Sequence, residues 1–399
     1  MSERLARTNE KSIMKTITKF IYLGFTSLAL ACGSIAFAQI PPVTPPDSAA
    51  KAAALLPPGG EPINQTVAFA SGSRWHLTVN AMNGFGLVIT GASFQKSPTS
   101  PFIYVLFDGR MGEIFVPYHS GDPRYVDLQY GFSCLTLKPA DFPPPRQIIG
   151  DSKKICKEVR DYLAWMDAYH SPTRVRYGQE VVYFSVLDAA NYQYIMEWTF
   201  RDDGTIQVRA GSTGPKLPAS PKQGHMHNFT WRLDIDLNGA GGDSAYLTSH
   251  KEDLTPMNST ATDDRDLIDV EGGLVWNDQN FNTLQIQDRT LKNGNNPPRA
   301  TSYELVPLRS GTARHTEGFT KKDFWVTRYN PAQEFLADNL PDYVRARQST
   351  VNQDLVIWYT GSEHHENNSR AEDNDTVTVL WTGFDLVPNN LFNRTPFYP

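Results

Sequence analysis

Beyond residue 60, the chain contains many short segments in which apolar and polar residues alternate. This period of two is the pattern of a strand that buries one face. The segments are also rich in aromatic and β-branched residues, as strands are. The clearest examples are residues 74–79 (RWHLTV), Phe102 to Phe107, Glu180 to Leu187 and Thr376 to Leu380. The pattern predicts a protein built mainly from β-strands.

Turn-forming dipeptides recur between these segments, and such pairs commonly connect antiparallel strands. Examples are Asp108-Gly109, Asp203-Gly204 and Asn238-Gly239. Helical periodicity is scarce, and only residues 152–168 have a spacing that favours a helix. The sequence therefore predicts an all-β fold, a large antiparallel β-sandwich.

The first 38 residues have the composition of a secretory signal peptide. Lys15 and Lys19 precede an apolar stretch, Phe20 to Ala38, which ends in a small-x-small cleavage pattern. A membrane anchor is the alternative, but the stretch is short and no stop-transfer sequence follows it. We expect export to the periplasm or the medium. The predicted divisions are a signal peptide (1–38), a Pro- and Ala-rich leader (39–62) and one domain (63–399).

The charge balance limits the partners of the mature protein. The full chain has 37 Lys and Arg against 43 Asp and Glu, and removal of residues 1–38 leaves 32 against 41. An acidic protein is poorly suited to nucleic acids and anionic membranes. We therefore expect neither as a partner after cleavage, whereas a cationic small molecule is compatible with this charge.

Two cysteines remain after the predicted cleavage, Cys134 and Cys156. In an exported protein such a pair favours one disulfide, which would stabilise the fold by about 3 kcal/mol. Two unpaired buried thiols are the alternative.

The nine histidines include two close pairs. His225 and His227 belong to the strand-like segment HMHNFTWRLD, and residues two apart in a strand face the same way. Their imidazoles could hold one copper or zinc ion, although such pairs also occur as ordinary surface or core residues. The second pair, His364-His365, follows an apolar strand. Sequence alone does not show that the two pairs meet.

An aromatic-rich segment, NYQYIMEWTF, begins at Asn191 and leads into a predicted hairpin turn. By itself this segment is consistent with core packing. Together with the histidines it resembles the copper amine oxidases. Four segments in order carry the resemblance: residues 191–214, residues 225–236 (HMHNFTWRLDID), residues 324–329 (FWVTRY) and residues 354–396, with Glu372-Asp373 and the ending VPNNLFNRTP.

The resemblance implies copper- and topaquinone-dependent oxidative deamination of primary amines to aldehyde, ammonia and hydrogen peroxide. In that family a tyrosine of an Asn-Tyr motif is oxidised to topaquinone, which here would be Tyr192, preceded by Asn191. Forming a quinone from a phenol requires a redox-active metal, which excludes zinc. The implied copper ligands are His225, His227 and His364, because residues 361–364 keep the family's glycine-to-histidine spacing. His365 is the close alternative.

The resemblance implies further roles. Tyr118 would hydrogen-bond the quinone, and Asp127 would be the catalytic base, with Asp122 as second choice. Cys134 and Cys156 match the family's disulfide, and homodimers are usual in the family. A second, calcium-like site would use the carboxylates of Asp234, Asp236 and Asp354 with the backbone carbonyls of Ile235 and Leu355, oxygen ligands that suit such an ion.

Three departures from the family pattern keep other hypotheses open. Gln193 replaces an acid after the tyrosine, residues 122–130 are shortened around the expected base, and two extra residues lie between His364 and Arg370. One alternative is an exported copper-binding relative that does not turn over amines. Another is a carbohydrate-binding sandwich, which is disfavoured because its tryptophans lie in core-like strands. These are Trp198, Trp231 and Trp325.

Overall fold

A computed structural model of the chain defines the fold over nine stretches. They are residues 60–118, 124–169, 171–214, 224–251, 262–277, 281–308, 315–333, 335–365 and 379–394. The predicted signal peptide, most of the leader, Asp122 and the Glu372-Asp373 pair lie outside the described residues, as does the start of the predicted strand at Thr376.

The described residues form 21 strands, numbered here in chain order. The first eleven are β1 (Ile63–Ala68), β2 (Arg74–Met82), β3 (Gly86–Gln95), β4 (Phe102–Leu106), β5 (Asp108–Pro117), β6 (Arg124–Val126), β7 (Ser133–Cys134), β8 (Gln147–Ile149), β9 (Ile155–Asp167), β10 (Arg174–Ala189) and β11 (Tyr192–Arg201). The others are β12 (Ile206–Thr213), β13 (His225–Asp234), β14 (Asp243–Lys251), β15 (Thr262–Ile268), β16 (Gly272–Leu274), β17 (Asn282–Lys292), β18 (Ala300–Pro307), β19 (Phe324–Arg328), β20 (Leu355–His365) and β21 (Leu380–Asn389).

Helical structure within the described residues is confined to short turns. One is a single α-helical turn, Leu340–Tyr343. The others are 3-10 turns at Asp127–Tyr130, Pro139–Asp141, Gly318–Lys321, Ala337–Asn339 and Val344–Ala346. No helix in this part of the chain is long and apolar enough to cross a lipid bilayer.

The strands form two antiparallel sheets, which confirms the predicted fold class. The first sheet runs β1-β2-β3-β5-β13-β20-β19-β16, with β4 beside β3 and β6 beside β5. The second runs β15-β14-β17-β18-β21-β12-β11-β10-β9-β8, with β7 beside β10. One apolar core contains side chains of both sheets. Strand β11 of the second sheet and strand β13 of the first contribute neighbouring rings to it.

The tryptophans that could have formed a sugar-binding platform lie inside the fold. Trp198 is 2% exposed, Trp231 1% and Trp325 5%. Their rings pack against other aromatic rings of the core or lie in a neighbouring apolar cluster. Burial of all three therefore argues against a carbohydrate-binding surface built on them.

The helix favoured for residues 152–168 is wrong, because this segment contains the whole of β9, which pairs with β10 in an antiparallel hairpin. The helical spacing came from Val159, Leu163 and Met166, which are 41%, 57% and 54% exposed. No core surface covers these side chains, so the helical pattern has no packing partner to favour it. Strand pairing with β10 decides the structure instead.

Two smaller predictions are also corrected. The Asp108-Gly109 dipeptide lies inside β5 and not in a turn. The predicted disulfide is absent, since Cys134 and Cys156 are free buried thiols. Cys134 pairs with Leu187 and Cys156 with Phe184. Positions three apart on β10 face opposite sides of the sheet, and paired residues face the same side, so the two sulfur atoms point apart.

Candidate active site

Three histidines meet on neighbouring strands of the first sheet. His225 and His227 lie two apart on β13, and His365 on β20 pairs directly with His225. All three side chains are buried, at 4%, 0% and 4% exposure. One ring nitrogen of each lies within 4.8 Å of the others, and the Nε2 atoms of His225 and His227 are 3.1 Å apart.

His364, the ligand chosen from glycine-to-histidine spacing, is not in this cluster. It pairs with Met226 on β13 and is exposed, whereas the next residue, His365, is buried. Successive strand residues point to opposite faces, so only one of the two neighbouring histidines can face inward. The register of β20 against β13 selects His365, and a residue count along the chain could not reveal that register.

Tyr192 brings a phenol to the histidines from the second sheet. It is the first residue of β11, directly after a tight turn at Ala190 and Asn191, where Ala190 has φ 60°. The Tyr192 hydroxyl lies 3.1 Å from Nε2 of His225 and 3.3 Å from Nδ1 of His365. Its ring meets the edge of His227 at 4.7 Å between centroids. The phenol oxygen is therefore within hydrogen-bonding distance of two of the three imidazoles.

Tyr118 follows β5 and contacts the same group. Its hydroxyl lies 3.1 Å from the Tyr192 hydroxyl, and its ring stacks on His225 at 4.1 Å. Burial and the Tyr118 hydroxyl raise the pKa of Tyr192, whereas a hydrogen bond from the Asn191 side chain opposes the shift. Tyr192 is thus a neutral phenol held by its neighbours.

Asp127 lines the cavity next to Tyr192. The cavity measures about 270 Å³ and its lining is largely aromatic and apolar: Val116, Tyr118, Tyr125, Asp127, Tyr130, Phe132, Ala189, Ala190, Asn191 and Tyr192. Asp127 is 7% exposed and accepts a 2.6 Å hydrogen bond from the Tyr194 hydroxyl. Burial raises the pKa of Asp127 to about 6, although the Tyr194 hydrogen bond opposes the rise.

Three buried polar residues of the site were missed by sequence reasoning. Glu113 accepts backbone hydrogen bonds from Ile114 and Leu128, so it ties β5 to the turn that begins at Asp127. Burial raises its pKa to about 8. The other two are Tyr194 and Glu363. Glu363 accepts a hydrogen bond from Ser212 and pairs with His227 in the sheet. Position in an alternating strand could have placed Tyr194 on the face of Tyr192, but no sequence signal marked Glu113 or Glu363.

Gln193, which replaces the family's acid, has its side chain on the opposite face of β11 from Tyr192 and Tyr194. Its Nε2 atom donates to Asp188 on β10 at 3.2 Å. This departure therefore lies outside the histidine cluster.

A group of carboxylates lies at the other end of β13. Oxygen atoms of Asp234, Asp236 and Asp354 come within 4.8 Å of one another. Ile235, between the first two, and Leu355, after the third, are buried. Asp243 is fully buried nearby, and within the described part of the chain neither of its carboxylate oxygens has a hydrogen-bond partner of normal geometry. Burial and the charges of Asp236, Asp288 and Asp354 raise its pKa.

The histidine cluster has the donor set of a transition-metal centre. Burial and the neighbouring His225 and His365 lower the pKa of His227, which favours the neutral imidazole that a metal requires. Three imidazoles with a phenol oxygen beside them match the ligand preference of copper better than that of a hard cation. The residues present therefore fit a copper ion.

Comparison with known proteins agrees with this geometry. The family model described as copper amine oxidase, enzyme domain, matches residues 161–398. The primary amine oxidase of Klebsiella aerogenes is 24% identical, and the alignment covers 81% of this chain and 52% of that protein. The copper methylamine oxidase of Arthrobacter sp. (strain P1) is 23% identical over 280 residues, which cover 60% and 43%.

Solved structures show the same fold. The copper-containing benzylamine oxidase from Hansenula polymorpha superposes with a TM-score of 0.66 at 17% identity, covering 86% of this chain and 64% of that one. An Aspergillus nidulans amine oxidase gives 0.65 at 18% identity, covering 90% and 56%. The chain spans about half the length of the curated relatives it matches.

The fold and site define a β-sandwich protein with a buried three-histidine centre beside a tyrosine. The family match extends over more than half of the chain. This protein belongs to the copper amine oxidase family, and its residues 161–398 match the enzyme domain of that family.

The two neighbouring histidines of β20 give a direct test of the centre. We expect His365→Ala to weaken copper binding by more than about 100-fold, because loss of an outer-shell partner alone typically costs 10–100-fold. His364→Ala is the matched control and should bind copper like the unmodified protein, since its ring faces solvent. Copper dissociation constants from chelator competition provide the measurement. If His364→Ala weakened copper binding and His365→Ala did not, His365 would be excluded as the inward-facing ligand.

Proposed function

We propose that this protein is a primary-amine oxidase that converts an amine, oxygen and water into an aldehyde, ammonia and hydrogen peroxide. Its cofactors are copper, held by His225, His227 and His365, and topaquinone derived from Tyr192. The observation that carries the proposal is the Tyr192 hydroxyl, 3.1 and 3.3 Å from two of the three imidazoles. A metal ion in the cluster would have this phenol as its immediate neighbour.

Copper and the quinone would supply the redox chemistry, which is the cofactor's contribution in such enzymes. The chain's own residues hold and orient the reacting ring. Tyr118 contacts Tyr192 through its hydroxyl and stacks on His225, so it restrains both the ring and one ligand. Asn191 hydrogen-bonds Tyr192 from the adjoining turn.

Asp127 is the residue best suited to remove a proton from the amine's α-carbon. It lies in the same cavity as Tyr192, and its pKa of about 6 leaves it ionised at neutral pH while keeping it more basic than an ordinary aspartate. A general base works best when its pKa lies near the operating pH. Burial of the carboxyl group maintains this shift.

The alternative is a copper-binding relative without turnover. It rested on three departures from the family pattern, of which the shortened segment around the base left the position of a carboxylate in doubt. Asp127 in the cavity favours the oxidase over this alternative, because the alternative assumes that the catalytic base has been lost. A protein that binds copper and forms the quinone but produces no peroxide with any amine would support the alternative instead.

Replacement of Tyr192 tests the proposed cofactor. We expect the unmodified protein to develop a visible quinone absorbance when copper and oxygen are added, and to react with phenylhydrazine. Tyr192→Phe should lose both signals and all amine oxidation, because no hydroxyl remains on the ring. The matched control is Tyr303→Phe, which removes another fully buried hydroxyl, bonded to the Gly204 carbonyl oxygen. Quinone formation in Tyr192→Phe would refute the assignment.

Asp127→Asn tests the base. The variant should bind copper and form the quinone, but kcat/KM should fall by at least about 100-fold, the lower end of general-base contributions. In the unmodified enzyme the base acts only when ionised, so kcat/KM should decline as pH falls through about 6. Steady-state peroxide assays across pH give both results. A variant that retained activity and the same acid limb would show that another group is the base.

We also propose that a calcium-like ion binds Asp234, Asp236 and Asp354. The fully buried carboxyl group of Asp243 supports this, since burial and the charges of Asp236, Asp288 and Asp354 disfavour its ionised form unless a cation is present. Calcium at about 100 times its Kd should stabilise the fold by about 2.7 kcal/mol.

Asp243→Asn should reduce the stabilisation by calcium, but it should not destabilise the chelator-treated protein, because burial and the neighbouring acids raise the pKa of Asp243 and already favour its neutral form when no cation is bound. Asp141→Asn, at an exposed position, is the control. Thermal unfolding with calcium or with EDTA distinguishes these outcomes. Equal melting temperatures for the unmodified protein in calcium and in EDTA would exclude the site.

Two further proposals concern assembly and location. The exposed apolar side chains Leu163, Met166, Tyr169 and Tyr177 on the β9–β10 hairpin support a homodimer, because such patches commonly mark interfaces. Sedimentation velocity would contradict this if the protein were monomeric at micromolar concentration.

Export follows from the signal-like residues 1–38, and N-terminal sequencing of the mature protein would test cleavage there.

A further inference from the structure

Tyr194 touches both functional halves of the site. It lies two residues after Tyr192 on β11, so the two rings face the same side, and its centroid is 6.0 Å from that of Tyr192. Its hydroxyl is 2.6 Å from Oδ2 of Asp127 and 3.3 Å from Nδ1 of His227. A single hydroxyl therefore joins the candidate base to a candidate copper ligand.

The number of protons available at this contact determines the tautomer of His227. A phenol can donate one hydrogen bond, and the Tyr194 hydroxyl donates it to the Asp127 carboxylate. Toward His227 the Tyr194 oxygen can then only accept, so Nδ1 of His227 must carry a hydrogen. In a neutral imidazole this leaves the lone pair on Nε2, the atom 3.1 Å from Nε2 of His225.

We propose that Tyr194 is a positioning residue that couples Asp127 to the metal centre by holding His227 in the tautomer whose Nε2 is free to bind copper. The proposal rests on the proposed copper site. A hydrogen-bond partner on the non-ligating nitrogen commonly sets the tautomer and orientation of a metal-binding histidine. Here that partner is itself oriented by the carboxylate proposed as the base.

Core packing alone does not account for the hydroxyl of Tyr194. Tyr183 lies on the neighbouring β10 and is also fully buried, yet its hydroxyl has no hydrogen-bond partner among the described residues. The core therefore does not require each buried tyrosine hydroxyl to be paired. Tyr194 differs because both of its partners belong to the site.

Tyr194→Phe keeps the ring and removes only the hydroxyl. We expect its copper dissociation constant to rise by about 10- to 100-fold, the usual effect of losing an outer-shell partner. The Cu(II) electron paramagnetic resonance spectrum should also change, because His227 is no longer held in one tautomer. Tyr303→Phe, which also loses one buried hydroxyl hydrogen bond, should match the unmodified protein in both measurements.

A double-mutant cycle tests the coupling itself. Asp127→Ala removes the acceptor and frees Tyr194 to donate to Nδ1 of His227, which favours the wrong tautomer. When Tyr194 is present, Asp127→Ala should lower copper affinity by about threefold or more. When residue 194 is Phe, Asp127→Ala should leave copper affinity unchanged. These measurements need no amine turnover. Quinone formation by the unmodified protein separately reports on the proposed function.

Several results would overturn the proposal. The proposal would be wrong if Tyr194→Phe matched the unmodified protein in both its copper affinity and its Cu(II) spectrum. It would also be wrong if the Asp127→Ala effect were absent, or equal in both backgrounds. Asp127 lines the cavity, so its truncation spares the packed core. The Asp127→Ala spectrum therefore remains informative even if Tyr194→Phe does not fold, and an unchanged spectrum would count against the coupling.

Discussion

The antiparallel register between β13 and β20 is the constraint on which the site depends. It places His365 directly opposite His225 and turns His364 outward. A slip of one residue would exchange the two faces of β20, so that His365 would face outward and His364 inward. Strand β13 is held on its other side by β5, so hydrogen bonds on both edges fix the strand that carries two of the three histidines.

The same pair of strands carries both candidate metal sites at its two ends. His225 begins β13 and Asp234 ends it, nine residues later, whereas Asp354 immediately precedes β20 and His365 ends it. At about 3.4 Å per residue, the sites are roughly 30 Å apart along one ladder. A cation that joins Asp354 to Asp234 would therefore stabilise the register that aligns the histidines.

The active-site region places many polar groups in a sandwich core, which is unfavourable unless they satisfy one another. They do so largely through a connected network. Tyr118, Tyr192 and His225 form one part, and Asp127, Tyr194 and His227 form another. Burial lowers the pKa of His227 and raises that of Asp127. The core therefore favours the neutral form of a candidate ligand and strengthens a candidate base.

Local sequence patterns determined the all-β class and the shared face of His225 and His227, because alternation within one strand is a property of neighbouring residues. The candidate tyrosine came from the resemblance of its segment to the copper amine oxidases. Tertiary structure alone decided that His365 faces the site, that residues 152–168 pair as a strand, and that the two thiols point apart. It also brought Glu113 and Tyr194 to Asp127. Each of these depends on which strands pair and in what register, and contacts between residues far apart in the chain set that register.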